Sequence, residues 1–233
     1  MDITEMYNNG VYLKNNSNWG ASDAPVKSKW IHRIIQKNQL SFQSVAEVGT
    51  GSGAILTELS HLLPGVKEWT GYDISAHAIE IAKKAETNNL SFYHEDFIQL
   101  STFSDCLLII DVIEHVENYY EFLLKLRKRA AYYIFHIPLD LSCRTLLKPH
   151  ILKQQRSSVG HIHYFSRDMV LWMLEDTGYT IADWFYTKPL LDIEPQQSVK
   201  NKIKKVLRNG AFAISKHRSA DVLGGYSMMI LAE

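Results

Sequence analysis

Short apolar runs alternate with helical patterns along the chain from residue 40 onward. Continuous apolar runs of a few residues predict buried strands, and apolar residues spaced three and four apart predict helices. The predicted strands cover residues 44–49, 69–73, 90–94, 106–111, 132–137, 180–187 and 226–232. The predicted helices cover residues 54–63, 76–86, 118–129 and 167–176. This alternation is typical of an α/β fold with right-handed crossovers, a seven-stranded and mostly parallel sheet, and helices on both faces.

The end of the chain departs from this alternation. No ordinary crossover helix joins the last two predicted strands, so we expect the sheet to end in an antiparallel edge strand. Three segments also fall outside the pattern: residues 1–40, 139–162 and 188–222. Because ligands of open α/β sheets bind beyond the carboxyl ends of the strands, these segments are predicted to cover that crevice. We therefore expect one domain over residues 1–233, with an N-terminal lid and helix over 1–40 and substrate-side insertions over 139–162 and 188–222.

Composition excludes several classes of protein. Hydrophobic residues make up 46% and charged residues 21% of the 233 residues, which is not the composition of a disordered chain. Apolar runs such as residues 106–110 are far shorter than the roughly 20 residues that span a bilayer. The first ten residues contain two acids and no apolar core, so they do not predict a secretory signal. We expect a globular cytoplasmic protein in which Cys106 and Cys143 form no disulfide framework.

The charge is balanced overall but not along the chain. Lysine and arginine number 25, as do aspartate and glutamate, yet residues 195–220 contain seven basic residues and no acid. A basic segment on an acidic body predicts a local anionic partner and not general nucleic-acid binding. Apolar residues alternate with the lysines of 198–208 at helical spacing, so this stretch could contact a membrane or partner surface. Packing on the body of the protein is the outcome that we expect for it.

A glycine-rich loop follows the first predicted strand. In the stretch from Glu47 to Gly53, Gly49 and Gly51 allow the backbone to approach a ligand closely where a helix begins. Asp73 ends the next predicted strand, at the distance from the loop where a carboxylate can accept hydrogen bonds from ribose hydroxyls. The spacing also fits the dinucleotide fingerprint, and a tight turn without a ligand is a further alternative.

Two later motifs favour one of these interpretations. The stretch from His94 to Phe97 follows the third predicted strand, and the stretch from Asp111 to Val116 follows the fourth. With the glycine loop they resemble class I methyltransferases that use S-adenosylmethionine, from about residue 40 to the final strand. The resemblance implies a Rossmann-like fold with residues 41–138 as the cofactor-binding half. The cofactor contacts that it implies are Glu47, Gly49, Thr50, Gly51, Gly53, Asp73, Ile74, Asp96, Phe97, Asp111 and Val112, with Trp19 and Lys27 from the N-terminal extension.

Other stretches resemble one branch of that class. The runs DVIEHVEN and GHIHYFSRDMVLWMLEDTGY are similar to small-molecule methyltransferases of the ubiquinone-biosynthesis type. The Asn/Asp-Pro-Pro-Tyr motif of enzymes that methylate nucleic-acid bases is absent, so no nucleic-acid substrate is expected. Basic residues in 139–162 and 200–208 favour a hydroxyl of an anionic metabolite or of a sugar or polysaccharide precursor as the acceptor. An NAD(P)-dependent oxidoreductase and a catalytically silent module that binds S-adenosylmethionine are the alternatives.

Histidines supply the candidate catalytic groups. A neutral imidazole can accept a proton near pH 7 without a large pKa shift. The candidates are His115 after the fourth strand, His136 in the fifth, and His161 and His163 after the 139–162 segment. Some related methyltransferases bind a divalent metal through a set that Asp111, Glu114, His115 and His161 resemble. We expect no metal and keep this quartet as the alternative.

Overall fold

The structure is a computed structural model that describes residues 20–193 and 199–233, with side chains in the second range from residue 202. Its strands are β1 (Ser44–Val48), β2 (Glu68–Asp73), β3 (Leu90–His94), β4 (Ser104–Ile110), β5 (Ala130–Leu139), β6 (Ile181–Thr187) and β7 (Tyr226–Ala232). Its helices are α1 (Ala24–Lys37), α2 (Ala54–Leu62), α3 (Ala76–Ala82), α4 (Tyr119–Leu126), α5 (Cys143–Leu147), α6 (His150–Ser158), α7 (Arg167–Asp176), α8 (Pro189–Asp192), α9 (Val199–Ile214) and α10 (Lys216–Leu223). Single 3₁₀ turns follow α3, β3 and β4.

The sheet has seven strands in the order β3-β2-β1-β4-β5-β7-β6. The first five pair in parallel, whereas β7 runs antiparallel to both β5 and β6. The predictions of a mostly parallel sheet and an antiparallel last strand are confirmed. The edge position expected for that strand is wrong, because β7 lies between β5 and β6 and β6 forms the edge. Every residue of β7 is buried, and such a continuous apolar strand belongs in the interior of a sheet covered on both faces.

Helices cover both faces of the sheet, as predicted. On one face α1 and α2 pack against each other, and the core contains Ile31, Ile34 and Leu56. On the other face α4 and α7 supply Leu123 and Val170 to a second core. The spacing of these apolar residues is that of amphipathic helices that bury one stripe against a sheet.

The topology reverses direction between β1 and β4. From β1 the chain proceeds outward to β2 and β3, and then returns to place β4 on the other side of β1. At such a switch point the loops after the two central strands diverge and leave a crevice at the carboxyl ends. The glycine loop follows β1 and the Asp111 motif follows β4, so both lie at this crevice.

The basic stretch lies in α9, whose apolar stripe is exposed. The side chains of Ile203, Val206, Leu207 and Ile214 are between 55% and 89% exposed. The expected packing of residues 198–208 on the body of the protein is therefore wrong for Ile203, Val206 and Leu207. Among the residues that the structure describes, no helix has both the length and the apolar character to span a membrane.

Candidate functional site

A cavity of about 510 Å³ opens at the carboxyl ends of β1, β2, β3 and β4. Its wall contains eleven of the residues predicted to contact the cofactor: Lys27, Glu47, Gly49, Thr50, Gly51, Asp73, Ile74, Asp96, Phe97, Asp111 and Val112. Gly53 does not line it, and Trp19 lies outside the described residues. Residues distant in sequence therefore meet in one crevice because parallel strands end on the same side of the sheet.

The glycine loop is shaped by close packing beneath it. Gly49 and Gly53 have φ angles of 72° and 73°, a region that favours glycine. A Cβ atom on Gly49 would lie 2.7 Å from Cγ2 of Val112, and one on Gly53 would lie 2.5 Å from Cζ of Phe92. Gly49 thus brings the loop against the β4 motif at the cavity. Gly53 instead packs against Phe92 of the core. It caps the start of α2 but does not line the cavity.

Asp73 joins the glycine loop to the end of β2. Its Oδ2 accepts a hydrogen bond from the backbone N–H of Gly51 at 2.8 Å, and its Oδ1 accepts one from Ser75 at 2.8 Å. Burial raises the pKa of Asp73, while the two backbone hydrogen bonds oppose that shift. Each carboxylate oxygen retains a second acceptor position, so the group can also receive hydrogen bonds from a ligand's hydroxyls.

Glu47 is a buried acid at the base of the cavity. Its Oε2 accepts a hydrogen bond of 2.7 Å from the hydroxyl of Thr50, and its side chain is 1% exposed. Burial raises the pKa of Glu47 to about 8, although the Thr50 hydrogen bond lowers it. A cation entering the cavity would favour the ionised form, so this group links ligand binding to proton release.

Asp111 and Lys27 form an ion pair in the cavity wall. Lys27 Nζ lies 2.8 Å from Oδ2 of Asp111 and 3.6 Å from Oδ2 of Asp23, and Nδ1 of His136 lies 2.6 Å from Oδ1 of Asp111. Burial alone would raise the pKa of Asp111, but His136 and Lys27 hold it well below its usual value. Burial likewise opposes the charge of Lys27, yet Asp111 keeps its pKa above the usual range. Asp111 has a φ of 54°, which is uncommon outside glycine and occurs often at functional sites.

Aromatic and acidic residues line the side of the cavity near β3. The rings of Tyr72 and Phe97 meet edge to face with centroids 5.1 Å apart. Asp96 caps the 3₁₀ turn that contains Phe97 by accepting a hydrogen bond from the N–H of Ile98. Ile74 is 54% exposed beside them. Apolar side chains and an acceptor on one wall suit a flat heteroaromatic group that carries an exocyclic amine.

The four predicted histidines occupy different positions. His115 lines the cavity, and its Nδ1 lies 3.1 Å from the carbonyl oxygen of Gly160. Burial and the neighbouring His161 lower the pKa of His115 to about 4, so it is neutral at pH 7. His161 lies behind it, with Nδ1 2.6 Å from Oδ2 of Asp140. These two rings meet edge to face with centroids 5.0 Å apart.

The other two histidines do not line the cavity. His136 is buried between Asp111 and Thr187, with Nε2 2.8 Å from the Thr187 hydroxyl, and its ring stacks on Trp30. His163 Nε2 lies 3.0 Å from the carbonyl oxygen of Val116, and this contact holds the loop after β4. Both histidines thus contact protein groups and not this cavity, and their catalytic roles stay predictions.

The alternative metal quartet is only partly assembled. Glu114, His115 and His161 each offer a ligand atom, and these atoms lie within 4.8 Å of one another. Asp111 is not part of this cluster, because Lys27 and His136 occupy its carboxylate. Sequence spacing did not reveal this ion pair.

Sequence reasoning missed one complete wall of the cavity. Asn118, Glu121, Phe122 and Lys125 line it from one face of α4, which begins at the cap supplied by Asn118. Their spacing of three and four residues places them on the same side of a helix, and this signal was present in the sequence. Tyr72 and Glu95, next to Asp73 and Asp96, were missed as well.

The charge of the cavity is mostly negative. Among the described residues that line it, the acids are Glu47, Asp73, Glu95, Asp96, Asp111, Glu117 and Glu121, and the bases are Lys27 and Lys125. None of the basic residues predicted near the pocket, which lie in 139–162 and 200–208, contributes to the described wall. Such a cavity attracts a cationic ligand, and any anionic group recognised by those basic residues would lie outside it.

Comparison with known proteins places this geometry in context. A family model described as a methyltransferase domain matches residues 22–183. A search of curated proteins gave no significant match.

Solved structures share the fold at low sequence identity. Magnesium protoporphyrin IX methyltransferase from Synechocystis PCC 6803, with bound S-adenosylhomocysteine (SAH), is 18% identical with a TM-score of 0.60, and the alignment covers 89% of this chain and 82% of that one. Plantazolicin methyltransferase in complex with SAH is 16% identical with a TM-score of 0.62, covering 99% and 93%. A cyclopropane synthase from Mycobacterium tuberculosis is 15% identical with a TM-score of 0.62, covering 87% and 84%.

Proposed function

The chain belongs to the methyltransferase domain family, and from that premise we propose that it transfers the methyl group of S-adenosylmethionine to a hydroxyl of a small-molecule acceptor. Membership makes it an S-adenosylmethionine-dependent methyltransferase, so the oxidoreductase alternative is set aside. The observation that carries the proposal is the acid-lined cavity at the switch point, where the glycine loop, Asp73 and Asp111 converge.

The residues of this cavity fit S-adenosylmethionine. Gly49 lets the glycine loop pack closely on Val112 at the cavity, because a Cβ there would lie 2.7 Å from Cγ2 of Val112. We assign Asp73 to the ribose hydroxyls, Asp96 and Phe97 to the adenine, and Lys27 to the carboxylate of the methionine part. S-adenosylmethionine supplies its methyl group from a sulfonium, and a permanent cation is favoured in a negatively charged, aromatic-lined cavity.

The acceptor must meet the methyl group in line, so the wall opposite the glycine loop decides its position. His115 lines the cavity from the turn after β4, and its low pKa keeps the ring neutral at pH 7. A neutral imidazole whose Nδ1–H is held by the Gly160 carbonyl presents Nε2 as a hydrogen-bond acceptor. We therefore propose that His115 orients the acceptor's hydroxyl and holds its proton.

The finer proposal is an amphiphilic, anionic acceptor that is reached at a membrane surface. The helix α9 combines exposed apolar residues with several lysines, among them Lys202 and Lys204, and contains no acid, and this is the pattern of helices that lie on anionic lipid. Leu146 and Leu147 of α5 add two exposed leucines, and α5 packs against α10, the helix that follows α9. Basic residues outside the cavity would then hold the anionic group of the acceptor or the lipid.

Vesicle binding tests the surface part of this proposal. We expect the protein to co-sediment with phosphatidylglycerol vesicles and not with phosphatidylcholine vesicles. The double variant Val206→Ser/Leu207→Ser should abolish the binding, whereas Phe103→Ser, which changes an exposed side chain of another loop, should not. Equal binding of the double variant and the control would contradict a role of α9.

Transfer of an isotopically labelled methyl group tests the reaction. The panel pairs each hydroxyl acceptor, neutral or anionic, with its O-methyl ether, in which the hydroxyl is blocked. We expect label in hydroxyl acceptors, preferentially anionic ones, and none in the ethers. Label in the ethers would indicate a nitrogen or carbon acceptor. SAH binding without transfer to any acceptor would favour the catalytically silent module.

A further inference from the structure

A second site lies beside the cofactor cavity, where the loop after β4 meets the segment between α6 and α7. Glu114 and His115 occupy the 3₁₀ turn after β4. The backbone N–H groups of Ile162 and His163 donate to the carbonyl oxygen of Glu114 at 2.9 and 3.2 Å. These hydrogen bonds fix the later segment on the turn and bring His161 next to His115. The arrangement is therefore built by the backbone and does not depend on side-chain placement alone.

Three potential ligand atoms converge in this cluster. Nε2 of His115 lies 4.0 Å from Oε1 of Glu114, and Nε2 of His161 lies 3.9 Å from the same oxygen. Ligand atoms at about 2.0–2.1 Å from a tetrahedral ion lie about 3.3 Å apart from one another. Each of the two histidine-to-glutamate distances would therefore have to shorten by less than about 1 Å to bind an ion. The side chains of His115 and His161 are each 13% exposed, whereas the side chain of Glu114 is fully buried.

Both histidines have their second ring nitrogen fixed by an acceptor. Nδ1 of His161 faces the carboxylate of Asp140, which also accepts a hydrogen bond from Gln155. Nδ1 of His115 faces the carbonyl oxygen of Gly160. An acceptor at Nδ1 keeps the proton there and leaves Nε2 as the donor of an electron pair. Histidines that bind metals are held by carboxylates or backbone carbonyls in the same way.

Glu114 is the anomaly that a metal ion would resolve. Neither of its carboxylate oxygens has a hydrogen-bond partner among the described residues, although the side chain is completely buried. A buried polar group without a partner costs free energy, and a buried charge without one costs far more. The oxygens face two imidazole rings, and no Lys or Arg among the described residues forms an ion pair with them, so a cation held between the three side chains would satisfy them.

We propose that Glu114, His115 and His161 bind a divalent metal ion with the preferences of zinc. Two imidazoles and one carboxylate form a donor set that suits zinc and other late transition metals, whereas magnesium and calcium prefer oxygen ligands alone. Three protein ligands leave a fourth coordination position open. Because His115 lines the cofactor cavity, the open position is available to a ligand there.

The role of the ion rests on the proposed function, although its binding does not. A Lewis acid at this place would bind the acceptor's hydroxyl and lower its pKa, so the oxygen could attack as an alkoxide or phenolate. His115 would then act as a metal ligand and the ion would take over the orientation of the hydroxyl. Asp140 and Gly160 would act as positioning groups that hold the two imidazoles.

Zinc binding to the intact chain tests the site. The protein is treated with a chelator and dialysed, and Zn²⁺ is then titrated by calorimetry, while Co²⁺ provides a visible absorption spectrum of the bound ion. We expect one ion per chain with a tetrahedral Co²⁺ spectrum. Glu114→Gln and His161→Ala should each lose the ion, and Asp140→Asn should weaken binding roughly 10- to 100-fold.

Matched controls come from a surface pair with the same residue types. His77 Nδ1 lies 3.7 Å from Glu80 on exposed α3, so His77→Ala and Glu80→Gln should leave zinc binding unchanged. Circular dichroism checks that every variant folds. Absence of stoichiometric zinc binding in the wild type, or zinc binding as tight as the wild type's in Glu114→Gln and His161→Ala, overturns the site. SAH is titrated into the same protein. A wild type that binds SAH but does not bind zinc contradicts only the metal site, and one that binds zinc but not SAH contradicts only the cofactor assignment.

Discussion

The cofactor wall of the cavity and its histidine wall, which is His115 with Glu114 and His161 behind it, are gathered in different ways. On the cofactor wall, the acids Asp73 and Asp111 stand at or just after the carboxyl end of a strand. On the histidine wall, His161 lies in the segment between α6 and α7. The backbone N–H groups of the next two residues, Ile162 and His163, donate hydrogen bonds to the carbonyl oxygen of Glu114 and hold this segment in place. The first wall follows from the sheet topology that α/β folds share, whereas the second depends on how one particular loop folds back. Substitutions that separate the two walls test this difference.

The largest effect is expected where the cofactor wall is supported by the core. Gly53→Ala would place a Cβ 2.5 Å from Phe92 at a positive φ, so we expect a loss of about 3 kcal/mol in the free energy of unfolding. Urea denaturation measures it. Gly65→Ala is the control, because nothing lies within 4 Å of the added atom. Equal stability of the two variants would mean that the loop has no such constraint.

The ion pair of the cofactor wall should contribute somewhat less. Asp111→Asn leaves Lys27 without its main counter-charge, and we expect a loss of about 2 kcal/mol, because the Asp111 side chain remains 25% exposed toward the cavity. The double variant Lys27→Met/Asp111→Asn should recover part of the loss. Strictly additive losses in this double-mutant cycle would show that the pair is not coupled.

Asp73 tests the ligand assignment separately from stability. Asp73→Ala should weaken SAH binding by about 1–3 kcal/mol, the loss expected for ribose hydrogen bonds without an acceptor. Asp105→Ala is a matched control, since Asp105 also accepts two backbone hydrogen bonds, from Gln43 and Ser44, but at the opposite end of the sheet. Calorimetric titration should show weaker binding in the first variant only. Equal affinities in the two variants would remove Asp73 from the site.

The smallest expected effect is a proton linkage at Glu47. Because its pKa is about 8, the Glu47 side chain is mostly protonated at neutral pH, whereas a cationic ligand favours its ionised form. The bound state therefore holds fewer protons, so affinity for S-adenosylmethionine should rise about 3- to 10-fold from pH 6.5 to pH 8.5 and level off above that. Glu47→Gln should flatten this dependence. An unchanged slope in the variant would assign the proton to another group.

The two walls were also unequally predictable from the sequence. Glu47, Asp73, Asp96 and Asp111 follow recognisable strands, so periodicity and motif order placed them correctly in one cavity. The position of β7 between β5 and β6 was predicted wrongly, because the pairing of strands depends on tertiary packing that local patterns do not record. The spacing of residues in the sequence also could not show that Asp111 forms an ion pair with Lys27, or that the carboxylate of Glu114 has no hydrogen-bond partner among the described residues. Those facts arise from loop conformation, to which local patterns are insensitive.

The account depends most directly on which nucleotide the cavity binds. Calorimetric titration of the wild-type protein with SAH, with NAD and NADP in parallel, tests this in one experiment. We predict saturable binding of SAH at one site per chain and no binding of the nicotinamide nucleotides. Binding of NAD or NADP without SAH would contradict the assignment of the glycine loop, Asp73 and Asp111 to S-adenosylmethionine.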